Sequence, residues 1–200
     1  METMSYNLIT NYIYLYHLDK FILLPVYPEQ ISDNMQAHFN ATTPLARSAP
    51  IYSYSNSGPR SVQIALTLHR NMMTDVNSSA SIGGRALDLT KFEGYTQGDD
   101  YVDTLVKLLQ SIAMPVYRTS DKLVNPPMIA LRLGNEIFIK GIVDGGVAVT
   151  YKTPILDNDK YAVVEVSFTV SEVDPYDAEI TAQQGSLRGL NTSLERRLYK

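Results

Sequence analysis

Two hundred residues with 44% apolar content and a formal net charge of -4 are enough to bury one substantial core, and they argue against a protein whose main task is gripping phosphates. The absence of cysteine excludes a disulfide framework and thiolate metal sites. Fourteen tyrosines beside five phenylalanines and no tryptophan form a strand-favouring aromatic mix, suited to surfaces that neighbours partly bury.

Residues 1–20 read as an N-terminal arm. Ile9, Tyr12, Ile13, Leu15 and Tyr16 would be costly to leave in water, so the stretch packs on a neighbouring subunit or serves as a first strand or helix of the domain's own core. The apolar run from Tyr6 to Tyr27 lacks a basic leader and is interrupted by Asn11, His17, Asp19 and Lys20. It fits poorly with a signal peptide or a spanning helix, and the expectation is a cytoplasmic, unprocessed protein.

Phe21 to Tyr27 is an apolar strand ended by Pro28, and Ser32 to Thr42 resumes with Met35, Ala37, Phe39 and Ala41 on alternate positions. The next unit reads as a hairpin. Ala49 to Tyr54 leads through the turn Asn56-Ser57-Gly58-Pro59 into Arg60 to Leu68, where Val62, Ile64, Leu66 and Leu68 share one face at strand period. Arg70 to Gly98 carries no periodic apolar signal, and a connection that long is usually either functional or ordered only by a partner, the alternative being a floppy surface insertion. Ile82 is its candidate contact residue.

Asp99 or Asp100 caps the one strongly periodic helix, which is expected to run to about Ala113. Val102, Leu105, Leu109 and Ile112 make its apolar stripe, Asp103, Lys107 and Gln110 face away, and Pro115 stops it. Strands follow from Pro126 to Glu172. Ile129, Leu131 and Leu133 alternate against Met128, Ala130 and Arg132; Gly134-Asn135 supplies a tight turn; Ile137 and Ile139 then alternate against Phe138 and Lys140. Asp144-Gly145-Gly146 reads as another turn before Val147 to Lys152. Asp157-Asn158-Asp159 turns into Ala162 to Glu172, where Val164, Val166, Phe168 and Val170 share a face. The sheet needs a cover, and the helix is the natural one.

Residues 176–200 read as a C-terminal docking tail. Leu187, Leu190, Leu194 and Leu198 recur near helical spacing among Arg188, Arg196, Arg197 and Lys200, an amphipathic segment that buries little alone. Chemistry is sparse. His17, His38 and His69 have no metal-ligand neighbours at useful spacing, and no nucleophile elbow, P-loop or dinucleotide fingerprint occurs. Asp157-Asn158-Asp159 lacks the glycine and glutamate of a calcium loop. Glu172, Asp174, Asp177 and Glu179 could hold a carboxylate pair for hydrolysis, yet no apolar pocket lies near in sequence to separate their pKa values. No catalytic, cofactor or metal residue is therefore assigned.

Three stretches carry a resemblance. Phe21-Ile22-Leu23-Leu24-Pro25-Val26-Tyr27-Pro28-Glu29-Gln30-Ile31 is similar to the opening of tail-tube and baseplate proteins of contractile-tailed bacteriophages and related injection systems, with Tyr27 where asparagine is usual. Thr43 to Tyr52 resembles a second segment of that family, with Ala46 in place of glycine, and Val163 to Pro175 resembles its closing strand. The resemblance spans about Phe21 to Pro175. It implies a mainly β fold with one flanking helix (α+β), a tail-tube-like pair of packed antiparallel sheets over residues 21–175, carrying the loop 70–98 and the helix 99–113. It further implies a homohexameric ring whose neighbouring sheets join into a β-barrel around the tail channel. The function it implies is a structural virion protein at the junction of tail tube and baseplate, assembled in the host cytoplasm, with no enzymatic activity. Partners would be other copies, the tail tube protein and other baseplate or hub proteins, with passing DNA only as non-specific channel content and no membrane. Ile9, Tyr12, Ile13, Ile82, Leu187, Leu190, Leu194 and Leu198 are its expected protein contacts. The alternatives are the tail-tube subunit proper and a carboxylate-dependent hydrolase.

Overall fold

The computed structural model describes residues 11–24, 28–71, 81–82, 85–86, 100–118, 123–190 and 193. Among the described residues the chain is mainly β with two short helices of several residues, and its principal sheet is open. Strands β1 (Asn11–Leu15), β2 (Lys20–Leu23), β3 (Gln30–Asn34), β4 (Ala37–Thr42), β5 (Ile51–Ser57) and β6 (Ser61–His69) come first. The two-residue strands β7 (Ser81–Ile82) and β8 (Arg85–Ala86) precede helix α1 (Tyr101–Ser111). Strands β9 (Val116–Arg118), β10 (Leu123–Asn125), β11 (Ile129–Leu133), β12 (Ile137–Ile155) and β13 (Tyr161–Glu172) lead to the short helix α2 (Ala178–Gln184) and a 3-10 turn, Gly185–Leu187.

Seven strands form one antiparallel sheet in the order β2-β1-β11-β12-β13-β6-β3; β4–β5, β7–β8 and β9–β10 are separate two-stranded ribbons. Where a pair of packed sheets was expected, the described residues hold one seven-stranded sheet and three ribbons, and α1 packs in the buried cluster against the main sheet. Ile13 and Leu15 of β1, Leu66 of β6, Leu131 of β11, Ile139 of β12 and Val166 of β13 meet Val102, Leu105 and Leu109 of α1 and its C-cap Ile112 in one buried cluster. The helix begins where its sequence says it should. Asp100 accepts from the Val102 amide at 2.9 Å, satisfying one of the orphan donors of the first turn.

The expected β11–β12 hairpin is present, with Leu131 opposite Ile139 and Leu133 opposite Ile137, so its turn spans three residues, Gly134 to Glu136, one more than the Gly134-Asn135 pair. The expected turn at Asp144-Gly145-Gly146 is a correction: β12 runs unbroken to Ile155, and the glycines form a register shift against β13 between Asp144 and Val147. Gly145 and Gly146 have φ of +73° and +86°, which a bulge can use without reversing the strand. Gly141 is fixed by space instead, since a Cβ there would stand 2.0 Å from the Ser171 carbonyl oxygen.

A second correction concerns β5. It pairs with β4, Phe39 opposite Tyr54 and Ala41 opposite Tyr52, while β6 pairs with β3 and β13. The segment from Gln30 to His69 is thus one long hairpin, with β3 and β6 as its base in the sheet and β4–β5 as a ribbon projecting beyond it. The Gly58 amide donates to the Gln36 carbonyl at 2.9 Å and joins the two parts.

The boundary drawn at residue 20 is corrected as well. β1 lies inside the sheet, hydrogen-bonded to β2 on one side and to β11 on the other, so Tyr12 and Ile13, both fully buried, belong to the core of their own chain. Packing rather than an awaiting partner accounts for their apolar character.

Candidate assembly surface

The sheet is staggered. β11 accompanies β12 only along Ile137 to Gly141, whereas β13 accompanies it from Gly141 to Ile155. Among the described residues, β12 therefore has no ladder partner on its β11 side from Ile142 onward. This unpaired edge carries exposed Ile142, Tyr151 and Ile155, and Val143, Val147 and Val149 lie half-buried at the margin of the core. A strand edge with its amides and carbonyls unspent is a template for further pairing.

The β4–β5 ribbon occupies the opposite corner. It leaves the sheet at the end where β13 stops and on the far side of β13 from the unpaired stretch of β12. Every residue of β4 and β5 is exposed. Cross-strand register and alternation put Phe39, Ala41, Tyr52 and Tyr54 on one face and His38, Asn40, Ser53 and Asn56 on the other. The Phe39 and Tyr54 rings stand edge to face at 5.6 Å, yet the two side chains remain 57% and 58% exposed. Leu45, in the turn, is wholly exposed. A two-stranded ribbon with one apolar face is marginal without a cover, and exposed apolar patches of this kind mark contact sites.

Where ribbon and sheet meet, charges clamp the junction. Arg60 grips Asp33 with two hydrogen bonds, Nε to Oδ1 at 2.8 Å and Nη2 to Oδ2 at 2.7 Å, and donates to the carbonyls of Phe138 at 3.0 Å and Ser186 at 3.2 Å. Glu172 lies 3.9 Å from Arg60 and accepts from Arg188 at 2.7 Å; all three side chains are almost fully buried. Burial opposes the charged form of Asp33, but the Arg60 guanidinium outweighs it and holds that carboxyl below its usual value. At Glu172 burial prevails over Arg188 and Arg60, and its carboxyl is raised. A second cluster ties Arg70 to Asp100 and to Asp103 at 2.6 Å, and Lys160 to Asp103 at 2.6 Å, fastening the start of α1 to the ends of β6 and β13.

The four carboxylates considered for hydrolysis are thereby separated into different contacts. Glu172 is held by Arg188, Asp174 faces Lys140 at 3.4 Å, Asp177 caps α2 by accepting from the Ile180 amide at 2.8 Å, and Glu179 lies in the first turn of that helix. Of the histidines, His17 is buried and His38 and His69 are exposed. Burial lowers the His17 imidazole although the carbonyls of Met128 and Ser111 favour its charged form.

The expected contact residues divide into three groups. Tyr12 and Ile13 are core, as described. Leu187 and Leu190 pack against the cluster of Tyr12, Tyr14, Ala130 and Phe138 on the other face of the sheet, so as far as Leu190 the C-terminal segment docks on its own chain. α2 lies upstream of the leucines, and Ser193, between Leu190 and Leu194, is also helical. Ile82 lies in β7, without a described side chain, and Ile9, Leu194 and Leu198 lie outside the described residues. The exposed apolar residues that sequence reasoning did not single out are Phe39, Tyr52 and Tyr54. Their alternation was visible, but no sequence signal said that the covering helix would stop short of them.

No protein-family model matches the chain, and no curated protein matches it.

Proposed function

We propose that this chain is a structural virion protein that closes into a sixfold ring at the junction of tail tube and baseplate, continuing the channel through which DNA passes and binding the rings above and below. The observation that carries the assembly part of this reading is the pair of uncovered surfaces at opposite corners of the sheet, the one-sided ribbon β4–β5 and the unpaired stretch of β12. Two different patches on one chain give a heterologous contact, which forms a ring when its rotation closes. The sixfold number and the place in the tail rest on the likeness of Phe21 to Pro175 to tail-tube and baseplate proteins.

Light scattering on the purified full chain tests the reading. A particle of six times the 22.4 kDa chain, annular in negative-stain images, is the expected result; a compact monomer at every concentration sinks it. The same images separate a single ring from stacked tubes, and stacks would favour the tail-tube subunit proper.

A further inference from the structure

We propose that ribbon β4–β5 of one copy seats on the unpaired stretch of β12 in a second copy. This inference rests on the reading of the chain as a ring former and names the two patches that meet. Within one copy they lie at opposite corners of the same sheet, so neither can cover the other. The chemistry matches in three ways.

The ribbon has a single apolar face built on Phe39, Tyr52 and Tyr54. The margin of β12 offers Val147, half-buried, and Tyr151, half-exposed, a strip that α1 leaves incompletely covered. Lengths also agree. The fit asked of them is only that the edge be long enough: a ribbon strand of seven residues such as β5 spans roughly 20 Å, and the unpaired stretch of β12, about twice as long, has room to seat it.

Charge supplies the third match and sets the direction. From Met35 to Ser57 the ribbon and its turn contain no acidic residue, and Arg47 lies in the turn. The β12–β13 turn carries exposed Asp157 and Asp159, while the lysines near it are engaged within the chain, Lys152 with Glu165 and Lys160 with Asp103. Laying the ribbon along β12 with its turn towards the β12–β13 turn brings Arg47 to these two carboxylates. Such charges steer and orient an interface more than they strengthen it.

The test uses two variants of the full chain, all changes at exposed positions. The ribbon variant is Arg47→Asp with Tyr54→Ser; the edge variant is Asp157→Lys and Asp159→Lys with Tyr151→Ser. Circular dichroism checks that each keeps its fold. Each variant alone is expected to lose the assembled peak and run as a monomer. Mixed in equal amounts they are expected to give a heterodimer and nothing larger, because only one intact ribbon and one intact edge remain between them. Charge exchange in one chain, Arg47→Asp with Asp157→Arg and Asp159→Arg, is expected to recover assembly that Arg47→Asp alone loses. Rings that persist in either variant, or a mixture that stays monomeric, overturn this pairing while leaving the ring itself standing. A wild-type chain that never assembles overturns the ring and this pairing together.

Discussion

The hairpin that runs from Gln30 to His69 has two halves with nearly the same sequence character and opposite fates. In its base, Val62, Ile64, Leu66 and Leu68 alternate along β6 and are all buried. In its ribbon, Phe39 and Ala41 alternate along β4, and Tyr52 and Tyr54 along β5, and all are exposed. The difference lies in what stands opposite. Helix α1 and the neighbouring strand β13 cover the base, while the ribbon projects past the end of β13, where neither reaches. Alternation states that one side of a strand wants a cover; whether that cover belongs to the same chain is decided by the length of the other elements.

The sharpest way to break the comparison is at the junction, where Arg60 binds Asp33 on β3 and reaches the carbonyls of Phe138 and Ser186. Arg60→Leu leaves Asp33 and the buried Glu172 short of their counter-charge. Removing one partner of a buried ion pair costs about 3–5 kcal/mol, and the urea midpoint is expected to fall accordingly, because the clamp belongs to the base. If the midpoint moved by less than a tenth of that, the cluster would be an incidental contact and the boundary between base and ribbon would lie elsewhere.

Much of the base was legible in the sequence. The helix cap at Asp100, the apolar stripe of α1, the β11–β12 hairpin and the buried face of β13 follow from spacing and turn chemistry alone. The partner of β5 was not, since a Gly-Pro turn before β6 suggests a local hairpin, whereas β6 gains more burial between β3 and β13. Nor could the sequence separate an arm from a core strand at Tyr12 and Ile13, because both are apolar for the same reason. The ion clusters join residues far apart in the chain, Asp33 to Arg60 and Arg60 to Glu172, and no local spacing announces them.

A milder perturbation acts on the buried side alone. His17 is nearly inaccessible, and burial lowers its imidazole from the ordinary value. A histidine depressed in the folded state makes no pH-dependent difference while both states are neutral. As pH falls below about 6.5 the unfolded chain takes up a proton that the folded chain resists, so stability declines until the folded imidazole is itself protonated. The wild-type urea midpoint is therefore expected to drop between pH 7.5 and pH 5 by more than that of His17→Leu. Parallel curves for the two proteins would remove His17 from the account.

The smallest expected effect is the one that isolates the ribbon. Phe39 and Tyr54 face each other across β4 and β5, and such a cross-strand pair is worth about 0.2–1 kcal/mol. Because the ribbon adds nothing to the core cluster, it can open while the base stays folded, so Phe39→Ala is expected to leave the global unfolding midpoint in place. The loss should appear instead as faster amide hydrogen exchange confined to residues 37–57, since local opening is governed by local contacts. Exchange that quickened equally in β6 would mean that ribbon and base unfold as one unit. The contrast between them would then reflect exposure alone, with no difference in cooperativity.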